Sequence, residues 1–201
     1  MNAVLTGQEV WQQLVEGNDR FVRGTLLSRD LSDLRENLVK GQHPKAAVLG
    51  CSDSRVPAEF IFDQCLGDLF VVRTAGMVLE PTSLGSLEYA VAHLHVPLLV
   101  VKGHQFCGAV TATVQHPDLN ESHITAVVQQ IAPAAARARE RGFSGPELVE
   151  EAHDLHLKSL YESLGQKSPI IREALDSRRL EVVVAKYFLT SGRVEVLEST
   201  F

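Results

Sequence analysis

Two short stretches of this 201-residue chain gather groups that bind metals and move protons. In "LGCSDSR", residues 49 to 55, an apolar run meets the thiol of Cys51, the carboxylate of Asp53 and the guanidinium of Arg55. In "GHQFCGAV", residues 103 to 110, two residues separate the imidazole of His104 from the thiol of Cys107. Two cysteines and one histidine make a borderline-soft ligand set suited to zinc, and three protein ligands leave a fourth position for water or substrate. Asp53 and Arg55 make a different pair. An arginine can grip a carboxylate through two parallel hydrogen bonds, which fixes its direction and keeps it ionised. A carboxylate so held accepts a hydrogen bond from a metal-activated water, or swings onto the metal and closes the site. Two thiolates cancel the formal charge of the metal, which predicts weaker acidification of bound water and activity that rises with pH.

The elements that must position these groups are legible as short apolar runs. "AAVLG" (46 to 50), "LFVVR" (69 to 73), "PLLVVKG" (97 to 103) and "LEVVVAKY" (180 to 187) read as buried strands. "TSLGSLEYAVAHLH" (82 to 95) has apolar residues at helical spacing, so a helix joins the second and third strands and predicts that they are parallel neighbours. Residues 122 to 165 read as two helices broken around "RGFSGPE" (141 to 147), with Ser144 as a candidate cap. "TSGR" (190 to 193) before "VEVLEST" predicts a hairpin to an antiparallel edge strand. Ahead of these, Val10, Trp11, Leu14 and Phe21 form an apolar stripe on a helix over residues 7 to 22. The fold class is therefore α/β: a mostly parallel central sheet flanked by helices, with an antiparallel edge strand and an N-terminal helical arm. Open parallel sheets bind ligands beyond the carboxyl ends of their strands. Cys51 follows one strand and His104 with Cys107 follow another, so all three meet on one side.

Length and composition bound the rest. The chain is the size of a single domain, residues 1 to 201, with no linker or repeat to divide it. A net charge of -6 and the lack of a basic run argue against nucleic acid and anionic lipid as partners. No apolar stretch approaches the roughly 18 residues of a membrane span, and no export signal opens the sequence, so a cytoplasmic protein is expected. Three cysteines do not make a disulfide framework. Cys65 reads as a small buried hydrophobe, Glu150, His153 and His156 as a solvated helix face, and His93 and His95 as structural. "GHQFCG" has no following Lys and Ser/Thr, so it is not a phosphate-cradling loop.

Taken together, "CSDSRVPAEFIFD", "GDLFVVRTAG", "SLEYAV" and "GHQFCGAV" resemble the β-class carbonic anhydrases, particularly their bacterial branch, over about residues 7 to 198. The resemblance implies a zinc lyase for the reversible hydration of CO2 to bicarbonate and a proton by zinc-bound hydroxide. It implies Cys51, His104 and Cys107 as zinc ligands, with Asp53 and Arg55 as the catalytic dyad and Asp53 on the metal in a closed form. It also implies Gln42 as a bicarbonate hydrogen-bonding residue, Phe70 and Tyr89 as pocket wall, and Gly108 beside the ligand cysteine. Residues 1 to 45 would form an arm lying on a partner subunit of a homodimer or homotetramer. Two departures stand out. Many members read Arg-Asn-Ala-Gly-Asn where this chain has Arg73, Thr74, Ala75, Gly76 and Met77, and Val48 occupies a position where a second, inhibitory bicarbonate site would need Trp. Two other readings are weighed: hydrolysis of carbon disulfide or carbonyl sulfide on the same fold, and a non-catalytic zinc-stabilised interaction module. The first lacks any gating segment, and the second has no need of an Asp53–Arg55 pair.

Overall fold

The apolar runs pair into one five-stranded sheet. In the computed structural model, which describes residues 5–201, the strands are β1 (Ala46–Cys51), β2 (Leu69–Thr74), β3 (Leu98–His104), β4 (Glu181–Tyr187) and β5 (Val194–Ser199). Their order is β2-β1-β3-β4-β5; the first four run parallel and β5 returns antiparallel to β4. Among the described residues there are also eight α-helices: α1 (Gly7–Arg23), α2 (Leu31–Leu38), α3 (Ala58–Ile61), α4 (Pro81–Ala92), α5 (Gly108–Gln115), α6 (Ile124–Glu140), α7 (Gly145–Lys167) and α8 (Pro169–Asp176).

One expected pairing is corrected. β2 and β3 are parallel but not adjacent, because β1 lies between them. Every residue of β1 and β3 is buried, whereas β2 is only partly covered. The most apolar strands take the centre, and a connecting helix does not reveal how many strands it crosses.

Alternation along the strands divides the core in two. Ala47, Leu49, Leu99, Val101, Val182 and Val184 face the side covered by α4 to α8, and Ala46, Val48, Leu98, Val100, Val183 and Ala185 face α1 and α3. The stripe of α1 buries Val10, Trp11 and Leu14 against this second face. The Val10, Trp11 and Leu14 part of the stripe thus has the chain's own sheet to lie on. A capping box between Thr6 and Glu9 starts α1, and Gly24, at φ 68°, ends it in the left-handed conformation. Asn18 then ties it down: its Nδ2 donates to the Ile61 and Gly192 carbonyls, and its Oδ1 accepts from the Val194 amide.

α1 packs tightly on the end of α3 at Gly17, where an added Cβ would stand 1.8 Å from the carbonyl oxygen of Phe62, the C-cap of α3. Backbone, not a movable side chain, fills that space. Gly17→Ala is expected to destabilise the protein by about 3 kcal/mol or more. A urea unfolding curve with unchanged midpoint would refute this packing.

Candidate metal centre

β1 and β3 are neighbours, and each ends on a ligand-type residue: Cys51 closes β1 and His104 closes β3. Gln105 and Phe106, the latter at φ 58°, turn the chain so that Cys107 becomes the N-cap of α5. The three residues are buried, and their ligand atoms all lie within 4.8 Å of one another. Among the described residues this is the one such His/Cys/Asp/Glu cluster found.

The donor set fits zinc on three counts. The Cys51 and Cys107 sulfurs are 4.0 Å apart; two sulfurs each ~2.3 Å from a tetrahedral zinc stand about 3.8 Å apart. His104 Nδ1 lies 3.0 Å from the Gln105 carbonyl, so the ring proton sits there and Nε2 carries the lone pair. That Nε2 is buried and has no hydrogen-bond partner, a costly orphan unless a cation takes it. Third, the two thiols are close enough for one to donate to the other. The Cys107 hydrogen bond pulls Cys51 well below the ordinary thiol range, and the same contact pushes Cys107 up. A divalent cation between them removes that conflict. Backbone amides of Asp53 and Gly76 point at Cys51, and those of Ala109 and Val110, at the start of α5, point at Cys107.

Beside the ligands stands the predicted pair. Arg55 Nε donates to Asp53 Oδ1 at 2.9 Å and Nη2 to Oδ2 at 2.7 Å, a two-pronged grip that holds Asp53 well below the usual carboxylate range. Asp53 Oδ2 lies 4.0 Å from His104 Nε2. The carboxylate is therefore next to the ligand cluster, in the Arg55-held arrangement. Gly108 opens α5 on the exposed side, with nothing within 4 Å of where a Cβ would be.

Three further implied residues do not converge with these in one chain. Phe70 pairs with Ala47, at the opposite end of the sheet, and Tyr89 stacks against Phe70 with ring centroids 6.1 Å apart. At ~3.3 Å per residue, the four steps from Ala47 to Cys51 put about 13 Å between Phe70 and the metal-binding end. Gln42 precedes β1 at the same amino side and is exposed.

Other residues matter that the motifs do not reveal. Arg73 Nε donates to the Cys51 carbonyl at 2.8 Å and Nη2 to the Asp53 carbonyl at 2.5 Å, so the next strand holds the loop in place. Lys102, 1% exposed, donates to the Val56 carbonyl at 3.0 Å, and burial pushes its ammonium down to about 8. A lysine inside "LLVVKGH" was the available signal. Nor are His153 and His156 on a solvated face: they are 2% and 1% exposed. α7 turns them toward the sheet, where burial lowers both below the ordinary imidazole value. Met77, at the departure from Asn, is buried in the core at φ 56°. Cys65 is half-buried.

An open α/β sheet that carries a Cys-His-Cys centre beyond its central strands, with an ion-paired aspartate at its side, defines a zinc metalloenzyme of the β-carbonic anhydrase type. The carbonic anhydrase family profile matches residues 46–194, and the chain belongs to that family. It is 43% identical over 187 residues to "Carbonic anhydrase 2" of Mycobacterium tuberculosis, covering 91% of this chain and 89% of the relative. With the carbonic anhydrase of Mycolicibacterium smegmatis it shares 42% over 190 residues, 92% and 91% of the two chains. Among solved structures, a β-carbonic anhydrase of Aspergillus fumigatus superposes with a TM-score of 0.76 at 30% identity, over 83% of this chain and 81% of the other. A tetrameric β-carbonic anhydrase of Sordaria macrospora gives 0.78 at 25% identity, over 96% and 99%.

Proposed function

We propose that this protein is a zinc-dependent carbonic anhydrase that interconverts CO2 and water with bicarbonate and a proton. The observation that carries this reading is the convergence of Cys51, His104 and Cys107 with the Asp53–Arg55 pair at their side. When bound, zinc supplies Lewis acidity, lowering the pKa of a water toward neutrality. The side chains do the rest. Asp53 Oδ2 accepts a hydrogen bond from the attacking water and orients its lone pair, and Arg55 keeps the carboxylate ionised and aimed. Gly108 leaves open space beside Cys107 for a small linear substrate. Two thiolate ligands offset the metal charge, so hydration should increase as pH rises above neutral. Stopped-flow hydration on zinc-loaded protein at pH 8.5 tests the reading, and a rate equal to buffer alone would end it.

Gln42, Phe70 and Tyr89 belong to the same reading as groups contributed by a second copy. They lie on the amino side of the sheet near the β2 edge, far from their own chain's metal centre. Nearby, a groove of about 410 Å³ is lined by Leu26, Leu27, Leu31, Phe60 and Leu66, all exposed apolar side chains. Covering such a patch with another copy is the favourable outcome. The Leu27→Asp, Phe60→Asp double variant should run as a monomer in sedimentation and lose most hydration while keeping its zinc. A fully active monomer would separate the site from assembly. Three free cysteines, two of them proposed ligands, favour a reducing compartment such as the cytoplasm. Among the described residues no helix is long and apolar enough to cross a membrane.

A further inference from the structure

β3 ends on His104, and there one of its edges runs out of strand partners. Successive strand amides point to opposite sides. That of Gln105 reaches the Tyr187 carbonyl of β4 at 2.8 Å, so that of His104 faces the β1 side. The β1 ladder has already stopped at the Gly50–Lys102 pair. A buried amide left without an acceptor is strongly unfavourable. His153 Nε2 accepts it, at 3.3 Å.

The surrounding sequence is built for that contact. α7 comes this near only because β3 has glycine at 103: an added Cβ would stand 2.5 Å from His153 Cε1 and 2.9 Å from Nε2. An Nε2 that accepts leaves the ring proton on Nδ1, which faces Asp154 Oδ1 at 3.5 Å. Asp154 Oδ1 in turn accepts from Lys186 Nζ at 2.7 Å, and the Glu150 carboxylate holds the same ammonium at 2.7 Å. Lys186, His153 and His104 are buried and the Asp154 and Glu150 carboxylates are part-exposed, so this chain of polar groups runs inward from the surface of α7 and ends on the backbone of the proposed zinc ligand.

We infer that His153 is a positioning residue for the metal centre: by accepting the His104 amide, it sets where the His104 ring enters the ligand cluster. The inference rests on the reading of His104 as a zinc ligand and extends it to a second imidazole. Filling space between α7 and β3 is the competing role, and two substitutions separate them. The side-chain oxygen of Gln reaches about where Nε2 stands and can accept the amide, whereas Leu fills the volume with no acceptor.

Zinc affinity, read by competition with a chromophoric chelator, should fall about 10- to 100-fold in His153→Leu and only about threefold in His153→Gln. Exchange of the His104 amide should quicken in the Leu variant alone. Equal losses in both variants, or none in Leu, would overturn the inference. Nitrogen-15 spectra of the wild type give a check that needs no variant: the His153 ring should carry its proton on Nδ1, and a proton on Nε2 refutes the contact. A wild type that binds no zinc would instead remove the metal-centre reading and leave the tautomer result standing.

Discussion

Cys107→Ala protein purified without added metal should contain almost no zinc and hydrate CO2 at least about 10³-fold more slowly than wild type. Cys107 caps α5 with its sulfur 4.0 Å from that of Cys51, and amides of the first turn point at it. Its loss leaves one thiolate and one imidazole, too few to hold zinc against dilution. The fold should survive, since Ala is small and apolar and Cys107 is buried among apolar neighbours. Elemental analysis and stopped-flow traces on the same sample check both halves. Chelation of the wild type should reproduce the end state, and added zinc should reverse it only there. Stoichiometric zinc with normal turnover in the variant would remove the proposed centre.

Asp53→Ala is expected to retain zinc and lose about 10²-fold in kcat/KM. The carboxylate lies 4.0 Å from His104 Nε2 but is held by Arg55, so its removal costs orientation rather than metal. Its pH signature follows from the same grip. Arg55 holds Asp53 below its ordinary pKa, so the group stays ionised at neutral pH and adds no step to the activity profile there. The stability contributed by the pair is present above the unfolded carboxylate value, ~3.9, and is lost as pH falls through the lower folded one. Wild type should therefore lose this contribution only in strong acid, and Asp53→Ala should lack that part of the acid sensitivity. An activity limb near pH 6 that disappears in the variant would show that Asp53 titrates where this geometry forbids it.

The Cys-His-Cys cluster was readable because its signal is local. Cys51, His104 and Cys107 each follow an apolar run, and a parallel sheet presents its carboxyl ends on one side, so position in the chain nearly determines position in the site. Asp53 and Arg55 share the loop after β1 and pair across two residues, again a short-range matter. The buried imidazoles were different. His153 and His156 sit in a helix of mixed pattern, and nothing in the spacing says which side of α7 meets the sheet. Lys102 and Lys186 lie in apolar strands, yet their partners, the Val56 carbonyl and the Asp154 and Glu150 carboxylates, come from 46, 32 and 36 residues away.

The α/β class, the strands, the antiparallel edge, and the nearness of Cys51, His104 and Cys107 to the Asp53–Arg55 pair follow from alternation, helical spacing and strand-end loops, which are properties of neighbouring residues. Long-range packing, by contrast, set β1 between β2 and β3 and laid α1 on its own sheet. It likewise placed Phe70 and Tyr89 at the far end of the sheet from the Cys-His-Cys cluster, and His153 against the His104 amide. Each of these depends on which surfaces bury each other across long stretches of chain. That choice is made by the summed burial and hydrogen bonding of the whole core, and no short window of residues contains it.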